Sequence, residues 1–519
     1  MKFSLICGLL LLGVSSWPAA IAAEAPATAV KPNIVVILAD DLGYGDVQCY
    51  NPQRGKIPTP ALDRLAAEGM RFTDAHASSG VCSPSRYTLL TGRYHWRTRL
   101  QRGIVGLWER PLIAPGRLTI AGLTAMHGYR SACIGKWHLG WDWGIAPEQK
   151  QYFTGFKARP VTDAHREAWR EVFSLPIGGG PTAAGFGAYF GTDVPNWPPH
   201  CFIEDNRTLG IPVELLDNRL IGNNQGSQQG PGLAGWTFKP ILPALTERAC
   251  GFIADSARRK APFLLYLPLT TPHTPLAVNQ DWQGKSGLDS PVADLIMETD
   301  AAVGRVLQAL EDGGVAGNTL VVFTSDNGFA PYAGVKELEA RGHYPSGPLR
   351  GYKGDAWEGG HRVPFIVRWP GQVPAAAVSH HLVHHADLMA TLAGILGTKL
   401  PENAGEDSFS LLPLLRGADR PPRDHAVSQS MNGLFAVRQG SWKLVAGPGS
   451  GGSWSSFSAK LPGDAGPQLY DLAADPGETR NRHAEEPGRA AALRGLLERL
   501  IAQGRSTPGT PQSNDVKIR

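Results

Sequence analysis

Two short acidic motifs in this 519-residue chain have the makings of a hard-cation site. Asp40-Asp41 stands just past the apolar run 34–38, and Asp326-Asn327-Gly328 stands just past the apolar run 320–324. In parallel α/β sheets, sites assemble beyond the carboxyl ends of strands. If the two runs are neighbouring strands, three carboxylates and one amide oxygen converge, and such a cluster repels itself without a cation. An all-oxygen ligand set suits calcium or magnesium rather than zinc. Taken singly, each motif also reads as an ordinary turn or helix cap. The two together, each after a fully buried run, favour the metal.

A third motif adds a nucleophile. Cys82-Ser83-Pro84-Ser85-Arg86 leads into residues 87–91 and stops at Gly92. Proline suits the first helical turn and glycine the stop, so Cys82 is expected at or just before a helix N-terminus. That end carries unpaired N–H groups and partial positive charge, which favour an anion and lower a thiol pKa. Arg86, one turn on, adds a fixed cation. The plainer reading of a lone cysteine is a buried, inert thiol.

These motifs need a scaffold that sets strand ends side by side. Residues 34–38 read as a strand buried on both faces, the mark of a parallel sheet. Thr59 as N-cap and Pro60 in the first turn start a helix that Gly69 ends. Residues 131–134, 262–267 and 320–324 read as further strands, and residues 293–310 have helical spacing. Strands alternating with helices predict an α/β fold, with a large, mainly parallel sheet flanked by helices. Residues 176–235, rich in Gly, Pro and Asn, read as a long excursion over the surface. From about Ala418 the pattern changes to a hairpin over 434–438 and 442–445, then a charged helix over 487–503. The expected organisation is a catalytic domain over 23–417 and a smaller C-terminal α+β subdomain over 418–519. Residues 447–453 read as a flexible loop.

Composition narrows the function classes. At 42% hydrophobic residues, the chain can bury a large core. Lys and Arg number 50 against 46 Asp and Glu, a balance that carries no nucleic-acid footprint. Lys2, the apolar run 3–14 and Ala20-Ile21-Ala22 read as an export signal over 1–22, too short to span a bilayer. Cys7 stands too early, after the bulky Ile6, to read as a lipid attachment site. No stable membrane anchor is therefore expected, and the mature protein is expected in a periplasm or outside the cell. Removing the signal leaves Cys49, Cys82, Cys133, Cys201 and Cys250, an odd number with at least one unpaired thiol. No CxxC pair offers a zinc or redox site.

The Cys82-Ser83-Pro84-Ser85-Arg86 core, followed by Leu90-Thr91-Gly92-Arg93, resembles the hallmark of the formylglycine-dependent sulfatases of the alkaline-phosphatase-like superfamily. The likeness runs from Pro32 to about Asn481. It implies that a formylglycine-generating maturation enzyme oxidises Cys82 to an aldehyde, whose hydrate attacks sulfur and later expels sulfate. It implies Ca2+, with Mg2+ possible, held by Asp40, Asp41, Asp326 and Asn327 together with the modified Cys82. Gly135-Lys136-Trp137-His138-Leu139-Gly140 resembles a family block in which Lys136 holds the sulfate or the diol and His138 bonds the second hydroxyl as the base for elimination. Pro272-His273-Thr274-Pro275 and the segment 353–364 resemble two more, which place His273 and Lys353 at the leaving ester oxygen, while Arg86 supplies fixed positive charge. Leu469-Tyr470-Asp471-Leu472 resembles a late structural segment.

Substrate choice is less legible. Trp141, Asp142, Asp193, His200 and His343 are candidate substrate contacts, with packing as the competing reading. His380, His381, His384 and His385 form a cluster that is not expected to bind a second metal, and Asn206 starts a glycosylation sequon. The likeness to arylsulfatase A-like and N-acetylgalactosamine-6-sulfatase-like members implies a sulfated carbohydrate or aryl sulfate substrate. The favoured guess is a galactose or N-acetylgalactosamine 6-sulfate end group. A phosphonate monoester or phosphodiester hydrolase of the same superfamily, and a non-enzymatic sugar-binding relative, are the alternatives.

Overall fold

The computed structural model describes residues 1, 31–154, 156, 160–221 and 226–518. The expected export signal, from residue 2 onward, lies outside the described residues. The central strand is β1 (Asn33–Asp40), and its sequence explains its place. Ile34, Val36 and Leu38 enter one hydrophobic core, while Val35, Ile37 and Ala39 enter another on the opposite face of the sheet. A strand that feeds two cores has no polar side, which is why it reads as an unbroken apolar run. Each buried Val, Ile or Leu there contributes about 1.5–3 kcal/mol relative to an exposed one.

The main sheet has ten strands. In chain order the others are β2 (Met70–Phe72), β3 (Arg130–Lys136), β4 (Ala188–Thr192), β5 (Ile203–Glu204), β6 (Arg207–Thr208), β7 (Phe263–Pro272), β8 (Thr319–Ser325), β9 (Phe365–Arg368) and β10 (Ala377–Ser379). Their order across the sheet is β10-β2-β9-β8-β1-β7-β3-β4-β5-β6. The centre, β8-β1-β7-β3-β4, is parallel throughout. The flanks are mixed, with β9 antiparallel to both β8 and β2, and β5 antiparallel to β4. Helices α1 (Pro60–Ala67), α2 (Cys82–Thr91), α3 (Ile241–Arg258) and α4 (Pro291–Asp312) accompany it. Tyr87, Leu89 and Leu90 of α2 pack in one core; Leu242 and Leu245 of α3 and Val303 and Val306 of α4 pack in the other.

One expectation needs correction. Residues 176–235 are not only a surface excursion, because β4 within them is a buried strand paired parallel to β3. Gly191 breaks its short apolar run, so the strand is recognisable only from its partner.

A second, antiparallel sheet follows, of β11 (His425–Gln429), β12 (Phe435–Gln439), β13 (Trp442–Val445) and β14 (Gln468–Asp471), with helix α5 (Pro487–Gln503) against it. Tyr94 and Trp96, just past α2, share a core with Val427, Leu444 and Leu497. Pro32–Arg519 form one compact unit. The chain's last residues return to the segment after α2: Arg93 pairs with Asp515 at 3.0 Å, and Arg97 donates to Asn514 at 3.1 Å. Residues 447–453, expected as a flexible loop, are instead seated, with the Ser450 carbonyl accepting from Ala356 N–H at 2.8 Å. No helix among the described residues is long and apolar enough to cross a membrane.

Candidate active site

Because the sheet's centre is parallel, five strands end on the same side, and each delivers a polar group there. Asp40 ends β1 and Lys136 ends β3, while Asp193, His273 and Asp326 come one residue after β4, β7 and β8. Asp41 turns away from β1 with φ 69, and His138 sits at φ 54. Both are left-handed conformations that cost a residue with a side chain about 1–3 kcal/mol, and such strain gathers at functional sites. Gly328 has a plainer reason: a Cβ there would meet the Gly359 carbonyl at 1.8 Å, so only glycine lets this turn approach the facing loop.

Helix α2 begins at Cys82 and ends at Gly92 in the left-handed conformation, as its proline and glycine foretell. Cys82 is 2% exposed, and its thiol lies 3.6 Å from Asp40 Oδ1. Asp40, Asp41, Cys82 and His273 place ligand atoms within 4.8 Å of one another. Lys136 Nζ donates to Asp40 Oδ2 at 2.6 Å and Lys353 Nζ to Asp41 Oδ2 at 2.7 Å. Arg86 donates from Nε and a terminal nitrogen to Asp326 Oδ2 at 3.0 and 2.7 Å. Asp326 Oδ1 accepts from Asp41 N–H at 3.2 Å, and Asn327 Nδ2 donates to Asp41 Oδ1 at 2.8 Å.

Electrostatics separate these groups. Burial works against the Asp40 carboxylate, but Lys136, with His273, Arg86 and Lys353, holds its pKa well below the usual range. Burial pushes His273 down to about 4, against the pull of Asp41. The Cys82 thiol departs from the sequence expectation. Burial pushes its pKa up, and Asp326 and Asp40 add to the rise against Lys136 and Lys353. The helix terminus does not make a thiolate here, because desolvating the charge outweighs the partial charges that favour it. Asn327 Oδ1 is buried without a hydrogen-bond donor. An orphaned amide oxygen among carboxylates fits a hard cation, so these residues suit the oxygen-ligated ion that the sequence implies.

The sulfatase family profile matches residues 32–398. The chain belongs to the sulfatase family. The N-acetylgalactosamine-6-O-sulfatase of Bacteroides thetaiotaomicron is 34% identical over 490 residues, covering 90% of this chain and 93% of the relative. Human arylsulfatase A is 35% identical over 479 residues, covering 88% and 84%. A solved structure described under the metabolism of multiple glycosaminoglycans by Bacteroides thetaiotaomicron superposes with a TM-score of 0.77 at 31% identity, covering 91% of this chain and 99% of that one. This sulfatase is a sulfuric ester hydrolase with the alkaline-phosphatase-like fold.

The remaining sequence candidates divide. His138 and Asp193 belong beside the centre: Asp193 Oδ1 accepts from His138 N–H at 3.1 Å, and His138 Nε2 lies 3.2 Å from the Val105 carbonyl. His138 Nδ1 is buried and unpartnered. Trp141 is buried among Trp143 and Tyr189, while the exposed Asp142 bridges to Gly178. His200 is buried, with Nε2 on the Gln228 carbonyl at 3.1 Å. His343 is committed to Asp46 at 2.8 Å and to Lys56 N–H at 3.0 Å. These last two are buried, and their bonds hold loops in place. Of the histidine cluster, His380 meets Thr73, His381 meets Asp419 and His385 meets Thr324, while the His384 and His385 rings stay 6.5 Å apart.

Two residues escape the sequence reading. Lys353 Nζ lies 3.3 Å from the Tyr332 hydroxyl and 6.0 Å from the Trp454 ring centre. Tyr332 follows the Asp326 motif closely enough to have been suspected. Trp454 sits past the glycine-rich loop, where nothing local signals it.

Proposed function

We propose that this sulfatase removes sulfate from a sulfated sugar, with a galactose or N-acetylgalactosamine 6-sulfate end group favoured, using formylglycine made from Cys82 and a bound Ca2+ or Mg2+. The observation that carries this reading is the convergence of Asp40, Asp41, Cys82 and His273 within 4.8 Å, between the Lys136 and Lys353 ammonium groups. The N-acetylgalactosamine-6-O-sulfatase relative supports the sugar. The N-terminal segment supports export to a periplasm or the medium.

Residue 82, once oxidised by a maturation enzyme, supplies a hydrated aldehyde with one hydroxyl to attack sulfur and another to expel sulfate. Asp40, Asp41, Asp326 and Asn327 would hold the cation, which when bound acts as a Lewis acid that favours deprotonated oxygen. Lys136 and Lys353 already reach the carboxylates beside residue 82, so both ammonium groups can take sulfate oxygens with little movement. Lys353 then stabilises negative charge on the bridging oxygen as the S–O bond breaks. His273 Nε2 lies 3.6 Å from Asp41 Oδ2. Burial keeps the ring neutral, with Nδ1 turned to the Thr274 carbonyl. It can give the leaving oxygen a proton only after the negative charge of bound substrate has raised its pKa and protonated Nε2. With Nε2 turned to the Val105 carbonyl, His138 keeps the Nδ1 lone pair to take a proton when sulfate leaves.

A panel of defined sulfated mono- and oligosaccharides, read by sulfate release, tests the substrate. Release from a 6-sulfated galactose-type end group is expected. Turnover of aryl sulfates with none on any sulfated sugar would overturn the sugar reading. Mass spectrometry of the Cys82 peptide tests the modification, and full specific activity with an intact thiol would overturn it.

A further inference from the structure

A cleft of about 930 Å³ lies beside the segment 99–110. Arg99, Gln101, Arg102, Arg110, Asn432 and Lys517 form its polar lining, with Glu109 as the one acid. Four cations against one carboxylate make a positive concavity. Arg99 is half-buried, yet its guanidinium donates to the main-chain carbonyls of Arg110 and Pro111 rather than to a carboxylate. Burial pushes the Arg99 pKa down, and Arg110 adds to that push against Glu109. A partly desolvated guanidinium beside another arginine is relieved by an anion, and its planar fork fits the paired oxygens of carboxylate or sulfate.

Two short connections tie the cleft to the reaction centre. Ile104 lines the cleft, and the next residue, Val105, donates to Ser83 Oγ beside Cys82 and accepts from His138 Nε2. Asn432 lines it too, and the preceding Met431 donates from its N–H to the carbonyl of Gly354, the neighbour of Lys353. Both connections run through backbone groups, of Val105 and of Met431, so the wall of the cleft is continuous with the residues that flank Cys82 and Lys353. Arg110 also lines an adjoining cavity of about 490 Å³ with Trp108 and Trp143.

We propose that this cleft holds an anionic group on the sugar next to the one being desulfated, either a uronate carboxylate or a second sulfate. The preferred substrate is then a polyanionic oligosaccharide rather than a monosulfated monosaccharide. This inference rests on the sugar-sulfatase reading above and adds the chemistry of the neighbouring subsite.

The exposed side chains of Arg102 and Arg110 allow Arg102→Glu/Arg110→Glu to be made with the fold kept. The test compares kcat/KM on an aryl sulfate, a 6-sulfated monosaccharide, and 6-sulfated oligosaccharides whose next sugar carries a carboxylate, a sulfate or neither. In the double variant, the preference for anionic over neutral oligosaccharide is expected to fall about tenfold or more, through KM, and added salt should erode it in the wild type. The carboxylate and sulfate arms identify the anion. A wild type with no such preference, or a double variant that keeps it, would overturn the cleft's role while leaving monosaccharide turnover to support the sugar reading. No turnover of any sulfated sugar would sink both.

Discussion

The reaction centre and the polar network behind it have the same formal charge and opposite characters. At the centre, Asp40, Asp41 and Asp326 face Arg86, Lys136 and Lys353. In the network, Asp74, Glu358 and Glu478 face Arg362, Arg438 and Lys443. Both balance three acids with three cations. The network even places ligand atoms of His76, Glu358 and His361 within 4.8 Å, as a metal site would. Yet Lys443 Nζ already lies 2.9 Å from both Glu358 and Glu478, and His76 Nδ1 meets His361 Nδ1 at 3.1 Å. A cation is built in. At the centre, Asn327 Oδ1 and His138 Nδ1 are left over, and Cys82, the proposed precursor of the nucleophile, lies 3.6 Å from Asp40. Balanced buried charge does not by itself mark a reaction centre.

That contrast can be broken from either side. The largest effect is expected from Cys82→Ala, which should cut sulfate release on the order of 10⁴-fold or more and leave circular dichroism and the melting temperature near wild type. Wild-type-like turnover would refute the role of residue 82. On the network side, Lys443→Met strands Glu358 and Glu478 with less cationic charge and should cost about 3–5 kcal/mol, read as a large fall in melting temperature. A silent substitution there would mean the network holds nothing together.

Smaller effects sharpen the comparison. Ca2+ at about 100 times its dissociation constant should stabilise the protein by roughly 2.7 kcal/mol, and Asp40→Asn should abolish that gain while Glu478→Gln keeps it. An equal response in both variants would erase the distinction. The smallest is a slope. Burial, against the pull of Lys443 and with the push of Glu358, raises Glu478 to about 7 from 4.5. A raised folded pKa contributes stability that is present below the unfolded value and lost as pH climbs through the folded one. Glu478→Gln removes that loss, so its melting temperature should gain on wild type between about pH 4.5 and 7 and then hold level. A difference that shrinks with pH would contradict the assignment.

Much of the centre was legible because its signals are local. Asp40 and Asp326 each follow a strand whose two buried faces make an unbroken apolar run, and Pro84 and Gly92 punctuate α2. The helix over 487–503 and the hairpin before it were legible for the same reason. What failed to show depends on partners far along the chain. Strand β4 is interrupted by Gly191 and exists because β3 pairs with it. His343 looked like a substrate contact until Asp46, 297 residues away, claimed it. The Cys82 thiol was expected to be acidic from its helix position, but burial comes from the whole fold and reverses the sign. Lys443 and Glu358 are 85 residues apart, and no spacing rule reaches that far.

The return of Asp515 and Asn514 to Arg93 and Arg97 sets an order in time. The segment that follows the nucleophile helix lacks these partners until the last stretch of chain has been made. Cys82, 2% exposed in the finished fold, is out of reach of any other protein. If residue 82 is oxidised as proposed, the oxidising enzyme has to meet it before the fold buries it.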